Sequence, residues 1–197
     1  MIMCGSDSGI LIPFYQNYDP SPIYLNGVCD HEYLLAQYRG VSLTSYGVKF
    51  ITWAGIDGYS HSSLYRASDA NVIEAWGKTG VRRRHFGVDH TPGTRVDLYT
   101  VPSATAKQWE GAWEFGQECA DRGDRYSMRA LTRFLTRAEA LDEEMDWSLI
   151  RNWFCSQLVF VSLAMQGVFL AHKASYKMSP VAITTSPLTY YYGTITV

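Results

Sequence analysis

What this chain does not contain narrows its class early. No stretch approaches the roughly 18 consecutive apolar residues of a membrane-spanning helix, so no membrane span is expected. The N-terminal Met1-Ile2-Met3-Cys4-Gly5-Ser6 has neither a basic start nor an apolar core, so no signal peptide is read there. Charge of either sign is scarce: 17 Lys and Arg against 19 Asp and Glu leave a net charge of -2. That balance gives bulk electrostatics no hold on nucleic acid or an anionic membrane. Four cysteines, Cys4, Cys29, Cys119 and Cys155, are irregularly spaced without a C-x-x-C pair, so a disulfide scaffold is not expected. Calcium-loop and common zinc spacings are also missing, and no cofactor or metal is called for. Internal repeats and long linkers are absent.

What remains is a globular composition. The chain is 47% hydrophobic and 18% charged, with a mean hydropathy of -0.13. Its 197 residues suit one domain with a substantial core, spanning 1–197. Residues 1–30 read as an irregular N-terminal extension, rich in Gly, Pro, Asn and Asp, with one short strand at Ile10-Leu11-Ile12. Fourteen Tyr and six Trp fit core and rim packing, and also suit an aromatic-lined groove.

The pattern then predicts an α+β chain. Asp30 is placed to cap a short helix from His31 to Arg39, ended by Gly40, with His31 as a surface or capping residue. Val48–Trp53 alternates as a strand. Tyr59–Arg66 has period two, with Tyr59, His61, Ser63 and Tyr65 on one side. A loop over 67–71 and a strand over Val72–Trp76 complete a hairpin. Symmetric pairing about that loop sets His61 almost directly opposite Glu74. Gly80–Phe86 is a further strand, whose Arg82, Arg83 and Arg84 read better as a solvated sheet edge than as an anion site. Arg95–Val101 is another strand.

The second half turns helical. Ser103 or Thr105 caps a helix reaching Arg122, with Trp109, Ala112, Trp113, Gly116 and Ala120 as its apolar stripe and Gly123 as its stop. Tyr126–Leu141 has helical spacing, and Leu141–Asp146 is an acidic, solvated connection. Residues 153–166 form the most apolar helix, with Asn152 as N-cap and Gly167 as stop. The tail from Met178 reads as loop and a last strand.

Three residues combine into a chemistry. Cys155 falls in the first turn of the apolar helix, where unpaired N–H groups and the helix dipole favour a thiolate and an oxyanion. Alone it would read as a small buried apolar residue. His61 in a strand is the candidate general base and acid, and Glu74 the group that orients it. Ser156 and Tyr59, beside the nucleophile and the base, are the candidate substrate-binding or oxyanion residues. A metal set of His85, His90 and an Asp is the weaker alternative, because its spacing matches no common zinc pattern.

The segments Tyr59-Ser60-His61-Ser62-Ser63-Leu64-Tyr65, Val72-Ile73-Glu74-Ala75-Trp76, Gly80-Val81 and Trp153-Phe154-Cys155-Ser156-Gln157-Leu158-Val159 resemble the circularly permuted papain-like branch of the NlpC/P60 superfamily. That branch includes YiiX/YaeF-type proteins and, more distantly, enzymes like lecithin retinol acyltransferase. In it the His precedes the Cys, as here. The Tyr126-Ser127 helix start and the Ser179-Pro180 element also resemble its later segments. The likeness spans roughly residues 40–185 and departs at Gln157, where the branch often has Glu.

The resemblance implies an antiparallel sheet packed against a helix with the catalytic Cys at its N-terminus. It assigns Cys155 as nucleophile, His61 as base and Glu74 as the third polar group. The function it implies is a cysteine hydrolase working through a thioester, most directly an amidase or endopeptidase on peptidoglycan peptides. A delivered antibacterial toxin or a lytic protein fits the missing signal peptide. A toxin would act in a target-cell periplasm and would be matched by an inhibitory immunity protein. The alternatives are a lipid acyl hydrolase, acyltransferase or thioesterase of the same superfamily, and a non-catalytic binding module.

Overall fold

A computed structural model describes residues 31–40, 58–127 and 146–197. Within them the first half supplies strands: β1 (Tyr33–Arg39), β2 (His61–Arg66), β3 (Asn71–Trp76), β4 (Gly80–His85) and β5 (Arg95–Thr100). The second half supplies α1 (Ala106–Asp121), β6 (Arg125–Tyr126), β7 (Asn152–Trp153), α2 (Cys155–Ala164), α3 (Pro180–Thr184) and β8 (Tyr190–Thr196). The chain is α+β. Its main sheet is antiparallel in the order β4-β3-β2-β1-β5-β8, and β6 and β7 form a small parallel pair. The strands expected at Ile10–Ile12 and Val48–Trp53, the extension 1–30 and the segment 128–145 lie outside the described residues.

Segment 31–39 is the clearest correction. It is not a helix but a strand near the middle of the sheet, paired to β2 and β5 along its length. Leu, Ala and Gln favour a helix locally, but this strand is buried on both faces, which erases the two-residue alternation. Leu34, Ala36 and Tyr38 join one hydrophobic cluster and Leu35 the other. Gln37 accepts a hydrogen bond from the Ser62 hydroxyl at 2.7 Å.

The two clusters lie on opposite faces of the sheet. One, with Leu35, Leu64, Ile73, Ala75 and Val81, meets α1 and α2. The other gathers Tyr38, Tyr65, Val72, Phe86, Val96 and Leu98. α1 begins with the predicted Thr105, in a reciprocal capping box with Gln108. Its buried stripe contains Trp109, Ala112, Trp113, Phe115, Gly116 and Cys119. All ten residues of α2 are buried, as expected for a helix apolar all round. Each fully buried Leu or Val there contributes about 1.5–3 kcal/mol by leaving water.

The entry to α2 also differs from expectation. Tyr126 does not start a helix and Asn152 is not an N-cap; the two dipeptides pair as β6 and β7. Trp153 drives this, being fully buried with its indole N–H donating to Asp124 at 2.9 Å. Ser127 N–H bonds Trp153 C=O and Arg125 N–H bonds Arg151 C=O, which commits the backbone to the pair. The N-cap is therefore Phe154, without a side-chain cap, and Cys155 is the first helical residue. Gly80 lets this unit approach the sheet: with φ +83, its Cα faces Asp124 O so closely that a Cβ would stand 2.3 Å away.

Candidate active site

Starting α2 at Cys155 brings the thiol to the end of the helix where N–H groups are unpaired. The sulfur is electrostatically coupled to the His61 imidazole and to the backbone N–H groups of Ser62 and Ser156. Cys155 is only 2% exposed. Burial alone would push its thiol up, but the His61 charge and these polar neighbours outweigh it and draw the thiol below its ordinary value. His61 moves oppositely. Burial works against its charge, yet Cys155 and Glu74 raise it to about 10. Each charge favours the other: a His61 imidazolium stabilises a Cys155 thiolate, and the thiolate stabilises the imidazolium.

His61 and Glu74 meet differently from the way the hairpin symmetry suggests. The β2–β3 pairs are Leu64–Ile73, Tyr65–Val72 and Arg66–Asn71, a register that continues to Ser63 opposite Glu74. His61 and Glu74 are therefore diagonal neighbours. A shift of two residues keeps both on one face, which is why the contact survives. Asp69 sets this turn by accepting the Asn71 N–H and side-chain amide and by pairing with Arg66. His61 Nε2 donates to Glu74 Oε2 at 2.7 Å.

Glu74 is buried at 1% side-chain exposure, and its other oxygen accepts Arg82 Nε and Nη2 at 2.9 and 2.7 Å. Burial would raise its carboxyl, but the hydrogen bond from His61, the nearby His90 imidazole and the charges of both hold it well below the usual carboxylate range. Arg82 corrects the reading of the arginine run. β4 is the sheet edge and Arg83 and Arg84 are exposed, but Arg82 turns inward at 10% side-chain exposure and lies 4.5 Å over the Trp76 ring. Its Nη1 also donates to Asp89 at 2.8 Å.

Two further residues reach the site: His90, read in the sequence only as a weak metal candidate with His85, and Tyr126, read only as a helix start. His90, on the loop after β4, stacks on Tyr38 with centroids 4.1 Å apart and planes 8° apart. Its Nε2 reaches within 3.6 Å of Glu74 Oε2. Burial, with the charges of His61 and Arg82, lowers it below the ordinary histidine value despite Glu74. Tyr126 lies close enough to Cys155 for the thiolate, after burial, to raise its phenol, which stays protonated. The sequence assigned neither to the Cys155–His61–Glu74 group; the fold brings them to it.

The remaining candidates are placed as follows. The Ser156 hydroxyl donates to Met178 C=O at 2.7 Å, so its backbone N–H, not its hydroxyl, faces the sulfur. The Tyr59 hydroxyl belongs to a polar knot with Asp97, Tyr99 and Arg39. Gln157 packs, donating to Ser175 Oγ at 3.1 Å. His85 ends β4 opposite Asn71 and does not join His90. Instead, the donor atoms of His61, Glu74 and His90 lie within 4.8 Å of one another, a group among the described residues that could hold a cation. Among the described residues no helix is long and apolar enough to cross a membrane. Compared by sequence, the chain matches no family profile and no curated protein.

Proposed function

We propose that this chain is a cysteine hydrolase of the circularly permuted papain-like NlpC/P60 type, acting as one domain. The observation that carries this reading is that His61, hydrogen-bonded to Glu74, is also electrostatically coupled to Cys155 at the start of α2. In the reaction, the Cys155 thiolate attacks the carbonyl carbon of an amide. N–H groups at the start of α2, that of Ser156 among them, are positioned for the oxyanion. His61 then gives its proton to the amide nitrogen as the C–N bond breaks, leaving a thioester on Cys155. Water attacks the thioester, His61 takes a proton from it, and the C–S bond breaks to release the carboxylic acid and restore the ion pair. Glu74 stays ionised and holds the imidazole throughout.

The substrate class rests on the resemblance: peptide amides of the bacterial cell wall, reached by delivery as a toxin or by a lytic route. Purified peptidoglycan digested with the protein should yield new peptide termini, read by mass spectrometry, and Cys155→Ala should yield none. Products that persist in Cys155→Ala would overturn the nucleophile. Cleavage in a parallel phospholipid panel without wall cleavage would move the substrate to lipid acyl groups.

A further inference from the structure

His90 takes no part in the contacts that run from Cys155 to Arg82, yet it is driven into the same site. Its side chain is 7% exposed, and its Nε2 is buried without a hydrogen-bond partner. Glu74 Oε2, at 3.6 Å, is beyond hydrogen-bond range. It is close to the spacing of two donors on one small cation, since ligand atoms about 2.0–2.1 Å from a tetrahedral zinc stand about 3.3 Å apart. His61 completes the set, with all three donor atoms inside 4.8 Å. Two imidazoles and a carboxylate form a donor set suited to zinc-class cations.

We propose that His61, Glu74 and His90 bind a zinc-class divalent cation, and that its binding switches the hydrolase off. The switching clause rests on the cysteine hydrolase reading; the binding clause does not. The surroundings orient the ligands as metal sites require. Tyr38 fixes the His90 ring by stacking, and Arg82 holds the far oxygen of Glu74. The Arg82 charge opposes a cation and Asp89 offsets part of it, which suits reversible rather than structural binding. The inhibition is stoichiometric. As general acid, His61 must give up the proton facing Cys155 and become a neutral imidazole; a cation that replaces the proton on the nitrogen facing Glu74 takes its electron pair, so the same step would leave an imidazolate. The displaced proton goes to solvent, and Glu74 exchanges an N–H donor for the metal.

Calorimetric titration of the metal-stripped full chain with zinc chloride separates the possibilities. His90→Phe keeps the ring against Tyr38 and removes the ligand nitrogen. The wild type and Cys155→Ala should bind one zinc with similar affinity, and His90→Phe at least about ten-fold more weakly. Cobalt(II) bound to the wild type should show no thiolate charge-transfer band. Zinc should inhibit wall-peptide release by the wild type and not by His90→Phe, each relative to its own zinc-free rate. Equal binding by His90→Phe and the wild type would overturn the site. Binding lost in Cys155→Ala but kept in His90→Phe would put the ion on the thiolate instead. Zinc binding as expected in a protein that cleaves nothing without zinc would uphold the site and overturn the switch and the hydrolase reading.

Discussion

Glu74 sits between two cationic partners at 1% side-chain exposure, with each oxygen committed to one of them. A buried carboxylate so held is costly to remove because its partners stay behind unpaired. Its contribution to the site is to favour the charged form of His61, and that charge in turn favours the Cys155 thiolate. Cys119 provides an internal contrast: burial raises its thiol to about 12, with Arg122 opposing. In metal-free protein at pH 6.5, iodoacetamide should therefore modify Cys155 and leave Cys119 untouched. The Cys155 rate should fall only as pH drops through its lowered value, because protonation there removes the nucleophile. Glu74→Gln should move the pH at which that labelling falls off upward by about one unit, since weakening the ion pair by about 1.4 kcal/mol lowers the thiolate-to-thiol ratio ten-fold. Mass-spectrometric mapping of the labelled peptides reads both; equal labelling of the two cysteines would remove the activated thiolate.

At the scale of elements, the placement of Cys155 depends on how β6 and β7 dock onto β4. Val81 N–H bonds Asp124 C=O at 2.8 Å beside Gly80, and Trp153 bonds the Asp124 carboxylate just before α2 begins. Gly80→Ala would force a Cβ into that carbonyl and strain a positive-φ position. It should cost about 2 kcal/mol or more in urea unfolding. The Cys155 labelling rate should fall with it, because the same contact seats the start of α2. A stability unchanged within about 0.5 kcal/mol would mean that this approach is not a constraint. At this scale much is legible in the sequence. Thr105, Gly123 and the apolar stripe outline α1, and strict alternation outlines β2 and its hairpin with β3. β1 is not legible, since its residues are buried on both sides by partners distant in sequence. β6 and β7 escape a sequence reading because two-residue strands exist only as a pair.

Across the molecule, strands from both ends of the described chain are tied through one carboxylate. Asp97 on β5 receives Arg39 from β1, Tyr59 from the approach to β2, and Thr194 from β8, at 1% exposure. Burial would raise its carboxyl, but hydrogen bonds from Thr194, Tyr59, Arg39 and Arg95 bring it below the ordinary value. The unfolded chain therefore binds that proton more readily than the native one. Its stabilisation is complete above the unfolded value of about 3.9 and drains as pH falls through the native value. Asp97→Asn should lower stability at pH 7 and flatten its dependence below about pH 4, read by denaturant unfolding at several pH values. An unchanged acid slope would assign the acid sensitivity to other carboxylates.

The sequence by itself determined the α+β balance, the hairpin, the two longer helices and the candidacy of Cys155, His61 and Glu74. Local periodicity, caps and the identity of reactive side chains are properties of short stretches and need no partner. Only the tertiary structure decided that β1 is a strand, that the hairpin register shifts by two, and that α2 opens on Cys155 itself. It alone brought Arg82, His90 and Tyr126 to the site. Those outcomes depend on which surfaces meet across the chain, and the balance of burial, pairing and charge between distant residues is written in no single segment.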